Sequence, residues 1–277
     1  MYAALSPGAS GVKVSNLAES LSAAIKGGFR GVEVSPEEIA DLPTNEVLDT
    51  FASKELYVAG FGLPLDWRGD EGTYQSSLKE LPRLASACAG IGATRCATWI
   101  LPMSNDREFG ANFEFHRSRL SPAAAILADH GISFGMEYIG PKTMRDTGKF
   151  PFIWTQDGML ELAHAIGPNV GLLVDSWHWY TSHATLEDLK RLELKDIVYV
   201  HVNDAPAGLE IDSQVDNVRS LPAETGVIDI RGFLDVLSGI GYSGPVIPEP
   251  FKKELSELPS DAKRLEVVGA SMRAIGL

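Results

Sequence analysis

A chain of 277 residues, 44% of them hydrophobic, can bury a full core, and it lies near the ~250 residues of a (β/α)8 barrel. Its formal net charge of −13 gives an acidic surface that repels phosphate backbones, which argues against nucleic acid and anionic membranes as general partners. Two cysteines are too few for a disulfide framework, no run of about 18 apolar residues occurs, and the first residues lack a basic-then-apolar leader pattern, so a cytoplasmic protein is expected.

Strand-like and helix-like segments alternate along the chain. Residues 2–6 read as a first strand, and 15–27 open on capping residues, keep helical apolar spacing and end on glycine. Segment 31–34 leads to a helix near 45–54, segment 56–61 to one near 74–90, and segment 94–100 to one near 110–130. Four further strands are expected at 131–137, 169–175, 196–201 and 244–249, with helices near 156–166, 184–193 and 228–240, and a last helix near 259–275. Cys88 falls in a helical stretch and Cys96 in a strand, as expected of buried free thiols. Eight β/α units with short connections favour a closed parallel barrel over an open doubly wound sheet. The expected fold is therefore α/β, a (β/α)8 TIM barrel forming one domain over residues 1–277. No glycine-rich turn follows a strand in the dinucleotide or P-loop pattern.

Each of the last four strands ends on a metal-ligand residue type: Glu137, Asp175, His201 and Glu249. One polar residue at a strand end is ordinary, because strands give way to polar loops there. Four in consecutive units are different. In a parallel α/β protein the carboxyl ends of neighbouring strands converge on one face, so three carboxylates and one imidazole would meet there. Charges capping such apolar strands need a cation or a polar ligand to satisfy them. Hard, oxygen-rich donors favour Mn2+, with Mg2+, Co2+ and Zn2+ as alternatives, so one divalent metal ion is the expected cofactor.

These segments resemble the xylose-isomerase-like TIM-barrel superfamily, the family of sugar phosphate isomerases and epimerases. The resemblance rests on Gly135-Met136-Glu137, Val174-Asp175-Ser176-Trp177-His178, Val200-His201-Val202-Asn203-Asp204, Gly226-Val227-Ile228-Asp229 and the run from Gly241 to Glu249. It implies that Glu137, Asp175, His201 and Glu249 bind one divalent ion, and that His178 contacts substrate. Glu137 and Glu249 are the expected catalytic pair. An ion chelating a carbonyl oxygen and the neighbouring hydroxyl acidifies the C–H between them and stabilises an enediolate. Two carboxylates flanking that carbon can remove a proton and return one, giving epimerisation or aldose–ketose isomerisation. Loss of a β-hydroxyl from the same enediolate would instead make the protein an inosose dehydratase or a keto-glycoside lyase.

Loops on the same face supply further candidates. Lys142 and Arg145 follow Glu137, and Arg219 lies in the long segment after His201, where the three could clamp an anion or donate to polyol hydroxyls. Trp99 stands at a strand end, where a sugar ring can stack, and Asp204 follows the metal-binding histidine. In ketose 3-epimerases a substrate-binding arginine comes directly after that histidine. Here the loop holds Asn203, Asp204 and Pro206 instead, and the nearest arginine is Arg219. The DNA-repair branch of the superfamily needs a trinuclear zinc cluster with more histidines, yet His116, His130 and His164 fall in expected helices. The expected partner is a small carbohydrate substrate, and a homo-oligomer is left open. A metal-stabilised sugar-binding barrel without turnover is the competing class; it predicts the loss of one catalytic glutamate, and both are present.

Overall fold

Eight short strands with alternating inward and outward side chains curl into one closed barrel. They are β1 (Tyr2–Leu5), β2 (Gly31–Glu33), β3 (Tyr57–Gly62), β4 (Arg95–Ile100), β5 (Ser133–Tyr138), β6 (Val170–Asp175), β7 (Ile197–Val202) and β8 (Pro245–Pro248). All neighbours pair in parallel, and β8 closes onto β1. The structure is a computed structural model that describes residues 1–277. No helix is long and apolar enough to cross a membrane.

Helices start where side chains satisfy the free N–H groups of a first turn. Asn16, Asp70, Thr155, Asp229 and Ser260 cap the helices Leu17–Gly27, Glu71–Gly90, Gln156–Ile166, Ile230–Ile240 and Asp261–Ala274. The helix expected near 45–54 is preceded by a further one, Pro36–Asp41, capped by Ser35. The helix expected at 184–193 is a single turn, Leu186–Leu189, where Thr185 and Asp188 cap each other reciprocally. A six-residue helix, Ser176–Thr181, instead starts directly at the end of β6 with Asp175 as its cap.

The main core lies between strands and helices, built on residues such as Phe134, Leu172 and Phe233. A smaller cluster including Ala4, Ala59, Leu173, Tyr199 and Ile247 shares the strand parity of Asp175, His201 and Glu249, so it fills the barrel beneath them. Burying side chains such as Leu173 and Ile247 contributes about 1.5–3 kcal/mol each and makes a rigid floor. Tyr199 crosses this floor and donates to Glu33 Oε1 at 3.0 Å.

Tyr199 has room because residue 60 is glycine. A Cβ there would lie 2.6 Å from the Tyr199 ring and 2.7 Å from the Arg95 carbonyl, and φ is +148°. Gly60→Ala is therefore expected to cost about 2–4 kcal/mol in urea unfolding, combining backbone strain with overpacking. A change under ~0.5 kcal/mol would contradict this packing of the floor.

Candidate metal and active site

Glu137, Asp175 and His201 occupy the carboxyl ends of β5, β6 and β7, and Glu249 follows β8 by one residue. Register brings them level: Asp175 pairs with His201, and Glu137 with Trp99. Each of the four offers one ligand atom, and these atoms lie within 4.8 Å of one another. His201 Nδ1 is 3.8 Å from Glu137 Oε1 and 3.5 Å from Glu249 Oε2. Glu137, Asp175 and His201 are buried, and Glu249 nearly so.

Backbone and amide groups hold these carboxylates in place. Asp175 Oδ1 accepts the Trp177 N–H at 2.7 Å, a consequence of its second role as helix cap. The fully buried Asn203 donates to both Asp175 oxygens at 3.2 and 3.3 Å and accepts the Glu249 N–H at 2.9 Å, tying the end of β6 to the end of β8. Sequence reasoning gave Asn203 no such role. The available signal was its place two residues after His201, on the same face of the strand.

Charge in this small volume shifts Glu137, His201 and Glu249. Burial, Glu249 and Asp175 hold the Glu137 carboxyl well above its ordinary range. Burial alone would lower His201, but Glu249, Glu137 and Asp175 outweigh it and push the imidazole up to about 10. Burial would likewise raise Glu249, yet His201 and Arg219 bring it below its ordinary value. Glu137 Oε1 and both ring nitrogens of His201 are buried without a hydrogen-bond partner. Buried polar atoms are nearly always bonded, so unpartnered ligand atoms beside two further carboxylates fit a divalent cation.

A cavity of about 270 Å³ opens above the quartet, lined among others by Trp99, Glu137, His178, Arg219, Glu249 and Phe251. His178 is fully buried, and burial with the nearby Arg219 charge lowers it to about 3, so the ring is neutral. The Gly140 N–H lies 3.1 Å from its Nδ1 and Arg219 Nη2 lies 3.1 Å from its Nε2, so both ring nitrogens face N–H donors, and Nε2 is 3.9 Å from Glu137 Oε1. Arg219 Nη1 donates to Asp175 Oδ2 at 2.8 Å and Glu249 Oε2 at 3.0 Å, while Nη2 donates to Asp216 at 2.9 Å. Burial opposes the Arg219 charge, but Asp175, Glu249 and Asp216 outweigh it and raise the group above its ordinary value.

A model of the xylose isomerase-like TIM barrel matches residues 21–274. The chain belongs to the xylose isomerase-like TIM-barrel family. Among curated relatives, the inosose isomerase of Bacillus velezensis is 23% identical over 258 residues, spanning 89% of this chain and 88% of its own length. A xylose isomerase domain protein from Alicyclobacillus acidocaldarius subsp. acidocaldarius is 29% identical, with a TM-score of 0.86 over 99% of this chain and 97% of that one. The IolI protein, solved with a zinc atom, shares the fold at a TM-score of 0.79 and 20% identity, over 99% of this chain and 98% of its own.

The long loop after His201 returns to the site. Asp204 and Ser220 exchange backbone hydrogen bonds at 2.8 and 3.0 Å, which returns the chain to the end of β7 and delivers Arg219 to the quartet despite its distance in sequence. The Asp204 side chain accepts N–H groups of Ala205, Thr225, Gly226 and Ile228, so its oxygens anchor this loop and do not line the cavity. Lys142 pairs with Asp146 at 2.5 Å on the surface. Arg145 stacks 3.7 Å over Trp154 and approaches Asp212 at 3.9 Å. Of the three expected cations, only Arg219 lines the cavity.

One equivalent of divalent ion per chain is expected after chelation and reloading, with affinity falling about tenfold or more in Asp175→Ala or His201→Ala. His201 and Glu137, both raised, must release protons before they ligate. Affinity should thus increase from pH 6 to pH 8, with proton release seen as buffer-dependent binding heats in calorimetry. Affinity independent of pH, or unchanged in both variants, would contradict the site.

Proposed function

We propose that this chain is a divalent-metal-dependent sugar isomerase or epimerase that moves a proton at a carbon next to a carbonyl, through an enediolate. The chain is an enzyme of the isomerase or epimerase type, as its curated relatives over most of its length are inosose isomerases. An inosose or a ketose is the substrate class those relatives favour. The observation that carries the reading is the arc of four side chains at the strand ends, with Glu137 and Glu249, which line the cavity, at its ends and Asp175 and His201 between them.

A divalent ion held there, with Mn2+ preferred by the oxygen-rich donor set, would polarise the carbonyl and acidify the neighbouring C–H. The two glutamates come from β5 and β8 and so approach a bound sugar from different sides. One removes the proton; the other returns one to the opposite face or to the adjacent carbon. The neutral His178 lines the cavity beside Arg219 as a substrate contact and cannot compete as a base, given its lowered basicity. Arg219 supplies a fixed positive charge facing developing negative charge on oxygen. Trp99, 45% exposed at the cavity rim, provides a ring for the apolar face of a sugar. Two buried, unpaired cysteines accord with a reducing, cytoplasmic setting.

Glu137→Gln and Glu249→Gln keep the shape but remove the base. Each is expected to lower turnover of an inosose or ketose ~10²-fold or more, with bound metal measured in the same samples. A variant that keeps its metal and full turnover would assign that glutamate to metal binding alone and overturn the paired-base reading.

A further inference from the structure

Beside the quartet's cavity lies a second cleft of about 240 Å³ on the same face of the barrel, and Leu101 lines both. Its walls are aromatic, with Trp67 and Phe115, and its polar lining carries two guanidinium groups, Arg68 and Arg107. The Arg68 guanidinium lies between two indoles, 3.8 Å from the Trp67 ring and 3.9 Å from the Trp99 ring, and donates to the Trp99 carbonyl. Trp99 is the residue that lines the quartet's cavity, so Arg68 sits where the two spaces meet. Arg107 lies 3.8 Å over Phe115.

Neither guanidinium has a carboxylate within 4.0 Å. Arg119, on the same helix as Phe115, pairs with Glu71 at 2.9 Å, as Arg219 pairs with Asp175 and Arg264 with Asp261. Asp106 also lines the cleft, which leaves one net positive charge. His116 adds none: burial, with the Arg68 and Arg107 charges acting in the same direction, lowers it to about 4. Its Nδ1 lies 2.7 Å from the Asn112 carbonyl, which fixes the neutral tautomer. A concave, aromatic-walled space with stacked, pre-positioned and unpaired guanidinium groups suits a planar or tetrahedral oxyanion, since stacking costs the fork none of its donors.

We propose that this cleft binds an oxyanion, a carboxylate or a phosphate, carried by the substrate beyond the sugar unit that meets Glu137 and Glu249. The link to substrate rests on the proposed reading of the quartet; the binding of an oxyanion does not. The substrate would then be an inosose or ketose unit that carries a carboxylate or a phosphate group.

The test uses the full chain loaded with Mg2+, titrated with inorganic phosphate, with acetate and, as a control for ionic strength, with chloride. Indole N–H resonances of Trp67 and Trp99 report binding by NMR. Saturable shifts with phosphate or acetate, and not with chloride, are expected, and whichever anion binds identifies the source. Arg68→Gln and Arg107→Gln should each weaken that binding at least tenfold. Arg68→Lys, which keeps the charge but not the fork, should weaken it less, and thermal unfolding verifies that all three variants fold. Asp175→Ala, which disrupts the quartet, should leave anion binding in the cleft intact, so a failed quartet and a failed cleft give different results. No saturation with either anion, or equal affinity in folded Arg68→Gln and Arg107→Gln, overturns the proposal.

Discussion

Three carboxylates are held within 4.8 Å of one another at the end of an apolar barrel, and their mutual repulsion is the constraint on which the active face depends. At an effective dielectric near 20, two like charges at that spacing repel by roughly 3–4 kcal/mol. The protein answers with positive charge at the same point: His201 is driven toward its protonated form, and the buried Arg219 bridges Asp175 and Glu249. These responses leave ligand atoms on Glu137 and His201 without partners. A divalent cation relieves the repulsion and satisfies those atoms together, which is why the quartet reads as a metal site and not as a structural ion-pair network.

Rigid elements supply the ligands, and loops supply the groups that would meet substrate. Parallel pairing sets Asp175 level with His201, while Tyr199 and its neighbours fill the barrel below. Asn203 then locks Asp175 to the backbone of Glu249. Above this platform, Arg219 and His178 depend on local devices: the Asp204–Ser220 bridge for one and the Gly140 N–H for the other. A Cβ at residue 140 would come within 2.4 Å of the His178 carbonyl, so glycine is required for that approach. Precise ligands on strands and adaptable contacts on loops are the division of labour that lets one barrel serve many substrates.

The barrel and its quartet were legible in the sequence because they rest on regular periods. Apolar runs of strand length, separated by capped helices, announced eight units, and the period of two aimed the terminal residue of each late strand inward. The loops were not legible in this way. Lys142 and Arg145 look like substrate clamps in the sequence, yet short-range partners, Asp146 and Trp154, draw them away from the cavity. Asp204 looked like a ligand-facing carboxylate, but four backbone N–H groups claim it. Arg219 was expected on that face and does line the cavity, but its pairing with Asp175 and Glu249 was not legible, since its return depends on an isolated bridge closed by Asp204 and Ser220. The helix expected at 184–193 failed for a related reason: Asp175 starts a helix directly at the strand end, and the later segment keeps a single capped turn.

The central claim is that the quartet and its two glutamates exchange a proton at a carbon beside a carbonyl. Solvent-deuterium incorporation tests it most directly. Metal-loaded protein incubated in D2O with an inosose or a ketose is predicted to place deuterium at a carbon adjacent to the carbonyl, with incorporation lost on chelation and restored by Mn2+. Turnover of such a substrate to product with no deuterium from solvent, even on prolonged incubation, would contradict proton transfer by these glutamates and point to a direct shift of hydrogen between carbons.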